Sequence, residues 1–538
     1  MIRVLLAVVV ALALASPVLA SPGKVAVGLE RGASAKRVAD AAAARTGGTA
    51  STDLAPLAAI TVRVDDVDRA LTQLRGLRGV SYVERLDQPR QVAFVPNDPL
   101  FAEQWYLPLV RAFDAWPDLP ALNPVLVAVV DSGIDADHPD FAGRIEEARS
   151  FVSSPATTDS IGHGTMVAGE IAAATNEGVG IASGGFSARL LIAKVVSPSG
   201  SIPLEAEAKA IRWAVDRGAR VINLSLGGRR DPDNPSRDMF SNLEAAAVRY
   251  AVAHDVLLVA VTGNCGTVCP YRYASYPAAL PHVLGVSAIR EDSTVAGFSN
   301  RDRRYNDLAA PGAGIVSTFP FALSVAGCAP AGYTLCAPDE YVRGEGTSFA
   351  APIVSAAAAV LFASRPELRA SQAAAILKRT ATDISAAGRD ARTGNGRLDV
   401  AAAVAALAEP LPVRDRFESN DDAGRQAFFA FFPRKASTRL LVATLDYYDD
   451  ARDVYAFRIK RRQRLTITYR GDSALRTELA VYSPGTRSVE NAAPLRELAG
   501  VRSRARVRYR ATKGGWHFIE LRAAEGTSGD YRILVKRD

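Results

Sequence analysis

Histidine and sulfur are scarce in this sequence: five His, four Cys and three Met among 538 residues. A side chain that acts as a base near neutral pH is most often His, so such a centre has few places to be. The four cysteines, Cys265, Cys269, Cys328 and Cys336, fall within 72 residues. Four cysteines allow three connectivities, of which the local pairing, Cys265–Cys269 with Cys328–Cys336, is the expected one. A zinc site is the rival. Its spacings would be C-x3-C and C-x7-C, which are poor for zinc, and only His282 lies near. Long apolar runs are also missing. Beyond the first twenty residues no segment reaches eighteen apolar residues, so no membrane span is expected. The next longest run, Ala350–Ala363, is interrupted by Pro352 and Ser355. With 41 Gly and 30 Pro the chain is neither low-complexity nor collagen-like, and 48% hydrophobic with 22% charged residues excludes wholesale disorder and coiled coil.

What is present begins with a targeting pattern. Arg3 is a short positive region, Val4–Ala15 is an apolar stretch of twelve, and Val18-Leu19-Ala20 offers small residues for cleavage. Twelve residues are too few to span a bilayer, so residues 1–20 read as a signal peptide and the mature protein as secreted, extracellular or periplasmic. Export permits disulfides and makes a nucleic-acid partner an unexpected one. The net charge of +7 is uneven: from Leu411 onward there are 26 Lys or Arg against 16 Asp or Glu. That asymmetry marks the C-terminal part as a separate unit.

Three kinds of patterning follow the signal. Lys24–Leu29, Ile60–Val64 and Ser81–Leu86 read as strands, and Ala35–Arg45 and Val67–Leu77 as helices, giving a small α+β unit. From about Asn97 the expected strands are Val125–Val130, Leu190–Val196, Val221–Leu226, Val256–Val261 and Val283–Ile289. None alternates strictly, as befits strands buried on both faces of a parallel sheet. Helices are expected at His163–Ala174, Leu204–Arg217, Leu243–His254 and Ile353–Ala363, so this part is α/β with a doubly wound parallel sheet. In such sheets, sites form beyond the carboxyl ends of the strands. After a linker at 409–420, six short alternating runs predict an all-β sandwich: Tyr455–Ile459, Arg464–Tyr469, Glu478–Tyr482, Arg502–Tyr509, Trp516–Leu521 and Asp530–Val535.

Four positions carry chemistry. Asp131 ends the strand Val125–Val130 and opens Asp-Ser-Gly-Ile-Asp. His163 stands in Gly-His-Gly-Thr directly before a helix. Asn264, in Val-Thr-Gly-Asn-Cys-Gly, follows another buried strand. Ser348, in Gly-Thr-Ser-Phe-Ala-Ala-Pro, sits at a helix N-terminus, where backbone N–H groups and the helix dipole stabilise an oxyanion. Each has a plain structural reading as well: a turn Asp, a helix-capping His, a turn Asn, an N-cap Ser.

Together, in the order Asp131, His163, Asn264, Ser348, these motifs resemble the subtilisin-like serine proteases over about residues 97–407. Asn223-Leu224-Ser225-Leu226-Gly227, Phe298-Ser299-Asn300 and Ala309-Ala310-Pro311-Gly312 match further landmarks of the family. The resemblance implies a serine endopeptidase: Ser348 as nucleophile, His163 as base, Asp131 orienting it, and Asn264 with the Ser348 N–H as oxyanion donors. It implies polypeptide substrates paired between Ser225-Leu226-Gly227 and Gly200-Ser201, with a specificity pocket walled by Thr262, Gly263 and Ser275. No acid stands at those wall positions, which favours an apolar or broad preference. Met166 replaces the family's usual second His. Asp98 and Asp140 match positions that bind calcium in some relatives, with Asn176 or Glu177 in the companion loop as a further ligand. The resemblance divides the chain into a signal peptide at 1–20, a propeptide at 21–96 that chaperones and inhibits the enzyme, a peptidase domain at 97–408, and a domain at 421–538 like the pre-peptidase C-terminal sandwich. Self-cleavage is expected between Leu86 and Asn97. Phe417-Glu418-Ser419-Asn420-Asp421, Asp453-Val454-Tyr455-Ala456-Phe457 and Gly529-Asp530-Tyr531-Arg532 carry the last resemblance.

The alternating Arg502, Arg504, Arg506, Arg508 and Arg510 fall on one strand face, which is either merely solvated or a contact for an anionic surface. Two other functions stay open: an inactive relative that binds surfaces through its β-sandwich, and a processing protease of narrow specificity.

Overall fold

The computed structural model describes residues 23–86, 93–267, 269, 272–323, 340–410, 416–417, 420–424, 426–432, 437–489 and 492–538. The expected signal peptide, the cleavage segment at 87–92, the Cys328–Cys336 pairing and parts of the linker lie outside the described residues. The chain forms two compact units, 1–92 and 93–538.

In the first unit, β1 (Gly23–Leu29), α1 (Ala35–Thr46), β2 (Thr49–Ser51), β3 (Ala59–Val64), α2 (Val67–Leu74) and β4 (Val80–Arg85) build an antiparallel sheet of order β2-β3-β1-β4. Val25, Val27, Ile60 and Val62 pack against Val38 and Ala42 of α1 and Ala70 and Leu74 of α2. The helices start where their caps are. Ser34 Oγ accepts from Arg37 N, and Asp66 Oδ1 accepts from Arg69 N at 3.0 Å. α2 stops three residues short of the expected Leu77, as the chain turns through Gly79 at φ 87°.

The α/β part of the second unit holds α3 (Tyr106–Leu109), β5 (Val125–Asp131), β6 (Ile145–Ser150), α4 (His163–Ala172), β7 (Ala188–Lys194), α5 (Leu204–Asp216), β8 (Val221–Leu224), α6 (Asn242–Ala253), β9 (Leu257–Val261), β10 (Val283–Ile289), β11 (Leu308–Pro311), β12 (Ala313–Thr318), β13 (Tyr341–Glu345), α7 (Ala351–Ser364), α8 (Ala370–Arg379) and α9 (Val400–Ala405). Seven strands form one parallel sheet, β11-β10-β9-β8-β5-β7-β6. Along β5, Val127 and Val129 face the core with α4 and α7, while Ala128 and Val130 face α5 and α6. The sheet is therefore covered on both sides, which is why its strands read as apolar runs. The two strands without such runs, β6 and β11, are the sheet's edges. The first is polar (Ile-Glu-Glu-Ala-Arg-Ser) and the second ends on Pro311, both edge signatures. The segment Thr347–Ser364 is long and apolar enough to cross a membrane by composition, yet it is 89% buried as the central helix.

The remainder is all-β: β14 (Phe428–Phe429), β15 (Thr438–Asp446), β16 (Arg452–Ile459), β17 (Arg464–Gly471), β18 (Thr477–Tyr482), β19 (Arg496–Val501), β20 (Arg504–Arg510), β21 (Gly515–Ala523) and β22 (Ser528–Arg537). Sheets of order β14-β16-β21-β18-β19 and β15-β22-β17-β20 enclose Tyr455, Phe457, Leu479, Ile519, Ile467, Tyr509 and Ile533. Asp453 is buried at its centre, accepting from Tyr531 Oη and, at 2.5 Å, from Asn420 Nδ2. The structure corrects one expectation: β20 begins at Arg504. Arg502 follows β19 in a turn, so the strand face carries four of the five arginines.

Candidate active site

Asp131 is the last residue of β5 and is 2% exposed. His163 is the first residue of α4, and the chain enters it through Gly162 at φ 85°. A side chain on Gly162 would also collide with the Phe319 ring, its Cβ lying 2.2 Å from Cε2, so only Gly fits. His163 Nδ1 lies 2.8 Å from Asp131 Oδ1. A carboxylate only accepts, so Nδ1 bears the proton and Nε2 keeps its lone pair. Burial pulls the imidazole pKa down. The charge and hydrogen bond of Asp131, with the charge of Asp159, outweigh that pull, and the net shift is upward from 6.5.

Ser348 occupies a single 3-10 turn just before α7, and the Phe349 ring packs 5.6 Å from the His163 ring. Its Oγ donates to Ser225 O at 3.3 Å, and Ser225 Oγ donates to Ser348 O at 2.8 Å. Among the described residues Ser348 and His163 share no hydrogen bond. Such bonds are often loose in substrate-free sites and tighten in the complex. The Ser348 peptide is further anchored through Asn223, which donates to Ser225 Oγ at 2.9 Å and accepts from Ser355 Oγ at 2.8 Å.

Asn264 Oδ1 accepts from Thr347 N at 2.9 Å and Thr347 Oγ1 at 2.8 Å. A backbone N–H must face oxygen, so the amide orientation is fixed and Nδ2 points away as a donor. A Cβ placed on Gly346 would lie 3.2 Å from Asn264 Nδ2 and 3.6 Å from Ser348 N. The two donors therefore border one small open space beside Ser348.

The expected substrate-binding residues meet in part. A Cβ on Gly227 would lie 3.3 Å from Ser275 Cβ, and one on Gly263 would lie 2.5 Å from Ser275 Oγ. Gly227 and Gly263 thus both lie close against Ser275, and a side chain on either would collide with its surroundings. Thr262 gives main chain only: it is fully buried and its hydroxyl donates to Val286 O at 3.1 Å. Leu226 is 7% exposed, packed in the core with α5 and α6. Gly200 and Ser201 lie on an exposed turn after β7, where Ser201 bonds with Ser197 and Ser199. Cys265 and Cys269 are disulfide-bonded beside Asn264, as the local pairing has it. Met166 is buried against Gly344 and Phe349.

Three supports have roles that the motifs did not show. Asp159 Oδ1 accepts from Ser132 Oγ, Ile161 N and Gly162 N at 2.9–3.0 Å, and Oδ2 accepts from Thr165 N and Oγ1 at 2.9 Å. It is the anion at the positive end of the helix that starts with His163. Asn300 holds the loop after Asn264, accepting from Cys265 N and Gly266 N and donating to Thr262 O and Tyr273 O. Asn223 is the third, through the contacts above. Asn223 and Asn300 stand in the landmarks Asn-Leu-Ser-Leu-Gly and Phe-Ser-Asn, whose roles the sequence did not give, while Asp159 had only its position four residues before His163.

Asp98, Asp140 and Asn176 converge on the loop 176–181. Asp98 Oδ2 accepts from Asn176 N at 2.8 Å, and Asp140 Oδ2 accepts from Ile181 N at 3.1 Å. Asn176 Oδ1 accepts from Asn97 N at 3.2 Å. The Gly180 backbone packs directly against this carboxylate: a Cβ there would lie 2.0 Å from Tyr341 Oη and 2.4 Å from Asp140 Oδ1, and Tyr341 Oη itself donates to Asp140 Oδ1 at 3.0 Å. Burial pushes Asp140 up to about 7, with the Glu177 and Asp98 charges adding to it. Among the described residues no three His, Cys, Asp or Glu side chains are placed to hold a metal. The side chains that meet here offer two carboxylates and an amide oxygen, hard donors of the kind calcium takes.

Residues 123–396 match the sequence profile of the Peptidase S8 or subtilase family. Thermitase of Thermoactinomyces vulgaris is 34% identical over 297 residues, which are 55% of this chain and 94% of that one. Subtilisin DY of Bacillus licheniformis is 34% identical over 280 residues, 52% of this chain and 90% of that one. The solved structure of a lanthipeptide protease covers 59% of this chain and 99% of its own at a TM-score of 0.50 and 24% identity, a likeness of fold.

Proposed function

The chain belongs to the subtilase family and is a serine endopeptidase of the subtilisin type; from that premise we propose that it is exported as a zymogen and cleaves polypeptides with Ser348, His163 and Asp131. Ser348 Oγ attacks the scissile carbonyl and passes its proton to His163 Nε2. His163 returns that proton to the leaving amine, and water then releases the acyl group from Ser348 by the same proton path. Asp131 holds the tautomer and balances the imidazolium charge. The oxyanion forms in the space at Gly346, met by Asn264 Nδ2 and Ser348 N. The observation that carries this reading is the convergence of those two donors beside the serine.

Substrate lies extended along Ser225-Leu226-Gly227, opposite Gly200-Ser201, with one side chain set against Gly227, Gly263 and Ser275. Asp98, Asp140 and Asn176 would hold a calcium ion, which ties the 176–181 loop to the segments around residues 98 and 140. The unit at 21–96 is the inhibitory propeptide, and residues 421–538 are an accessory β-sandwich.

A paired expression tests the reading. The wild type should lose the propeptide and label with a fluorophosphonate, while Ser348→Ala stays uncut and unlabelled. If both remain whole and unlabelled with calcium present, the zymogen protease is excluded. An inactive, surface-binding relative then takes its place.

A further inference from the structure

The outer face of the sheet β15-β22-β17-β20 is built of alternate residues that all point away from the core. Register places Arg532, Arg470 and Arg504 directly beside one another across β22, β17 and β20. Arg464 stands opposite Arg510, and Thr466 between Lys536 and Arg508. With Arg506, eight cations share this face, and all eight are exposed. Among the described residues only Lys536 has an ion-pair partner, Asp538 at 3.0 Å. The other acids on this side, Asp446 and Asp530, stand at one end of the sheet.

Like charges placed directly opposite destabilise a sheet, and a fold gains nothing by stacking three arginines in a row. The arrangement makes sense when an external anion neutralises it. Seven of the eight are Arg rather than Lys, the side chain whose planar fork suits phosphate oxygens. Along β20 the arginines repeat every two residues, about 6.7 Å. The same face has an apolar corner: Leu440 and Val442 are each 52% exposed and Leu534 is 42% exposed, with Leu440 directly opposite Leu534. The tyrosines of these strands, Tyr469, Tyr509 and Tyr531, all face inward. A protein partner would be expected to find aromatic anchors on such a face, and it has none. A soluble polyanion would leave the apolar corner unused.

We infer that this face docks the protein on a phospholipid surface with anionic headgroups, the arginines meeting phosphates and Leu440, Val442 and Leu534 entering the headgroup boundary. This inference is independent of the catalytic residues, and its test does not use them.

Vesicle sedimentation of the full chain decides it, with phosphatidylcholine vesicles lacking or containing phosphatidylglycerol. Wild type should bind only the phosphatidylglycerol vesicles, more weakly as salt rises. A near-surface cation contributes about five-fold in affinity, so Arg504→Gln/Arg506→Gln/Arg508→Gln should lose about a hundred-fold at low salt while Tm stays the same or rises. Leu440→Ser/Val442→Ser should lose affinity several-fold. Equal binding to both vesicle types, or wild-type binding by the triple variant, overturns the inference. So does wild-type vesicle binding by the Leu440/Val442 variant together with full competition by soluble polyphosphate, which identifies a polyanion site instead.

Discussion

Asp159 Oδ2 accepts both the backbone N–H and the hydroxyl of Thr165 at 2.9 Å, closing the first turn of the helix that carries His163. The other oxygen of the same carboxylate takes Ser132 Oγ, Ile161 N and Gly162 N, and Ser132 Oγ in turn accepts from Gly164 N at 2.8 Å. One buried side chain thus fixes the Asp131–Ser132 turn and the His163 turn relative to each other. Asp159→Ala leaves these donors without partners and should cost about 2–4 kcal/mol of stability. It should also lower kcat by about 10- to 100-fold with little change in KM, because the His163 ring loses its fixed position. Thermal unfolding and steady-state kinetics check both, and Asp159→Asn should fall between.

The pH profile follows from the electrostatics of His163. The active form is the neutral imidazole, and the Asp131 charge and hydrogen bond hold its pKa above 6.5 against burial. Activity should therefore rise with pH through a midpoint above 6.5. Asp131→Asn removes the charge and lets Nδ1 accept, which favours the wrong tautomer. Its kcat should drop about 10,000-fold, and any residual activity should have its midpoint moved to lower pH. A kcat/KM profile of both proteins reads the two effects separately.

Asn264 depends on Thr347. Thr347 N and Oγ1 both bind Asn264 Oδ1, and this alone turns Nδ2 toward the oxyanion space. Asn264→Ala should cost 100- to 1000-fold in kcat, roughly one oxyanion donor. Thr347→Val removes one of the two restraints and should cost about ten-fold by the same argument. In the double variant the Thr347→Val effect should shrink to whatever is lost with the Gly263 N–H, which Thr347 Oγ1 also accepts at 3.2 Å, since the amide it oriented is gone.

Calcium dependence is expected from the carboxylates of Asp98 and Asp140, which both hold the 176–181 loop. If the ion is held there, chelation should lower Tm, by the equivalent of about 2–3 kcal/mol where free calcium had been a hundred times its Kd. Asp140→Asn should unfold at one temperature with or without chelator. Calorimetry in matched buffers measures this, and a chelator-insensitive wild type excludes a stabilising site.

Much of the centre was legible because its residues sit at ends of periodic segments. Asp131 closes an apolar strand, and His163 and Ser348 open helices, so pattern and chemistry coincided. What stayed hidden was whatever depends on long-range pairing. Asp159 looks like any turn Asp until its five donors are counted. Asn223 stands in a family landmark, but its own part shows only when Ser355, 132 residues later, is seen donating to it. Strand β15 was missed because Leu440 and Val442 are apolar on its outer side while Leu441, Ala443 and Leu445 are apolar on its inner side, which erases the alternation. Arg502 was placed on the strand face because alternation continues through it, although Arg502 and Ser503 form the turn between β19 and β20.

Glu207 on α5 and Glu244 on α6 belong to the same hidden class, being 37 residues apart and buried at 3% and 4% exposure. Burial raises both carboxyl pKa values, and their hydrogen bond lets the two share one proton rather than carry two charges. In the unfolded chain both ionise in the ordinary carboxylate range near 4.5. The folded state therefore holds more protons than the unfolded state from there up to neutral pH, and stability falls as pH rises through that window. Glu207→Gln keeps a hydrogen-bonding partner for Glu244 and removes one ionisation. The variant should match wild type at pH 5 and exceed it by about 1–2 kcal/mol at pH 8, the worth of roughly one pKa unit of relief. Urea unfolding of both proteins across this range is the measurement. A wild-type stability that is flat between those pH values would show that the pair is ionised without cost.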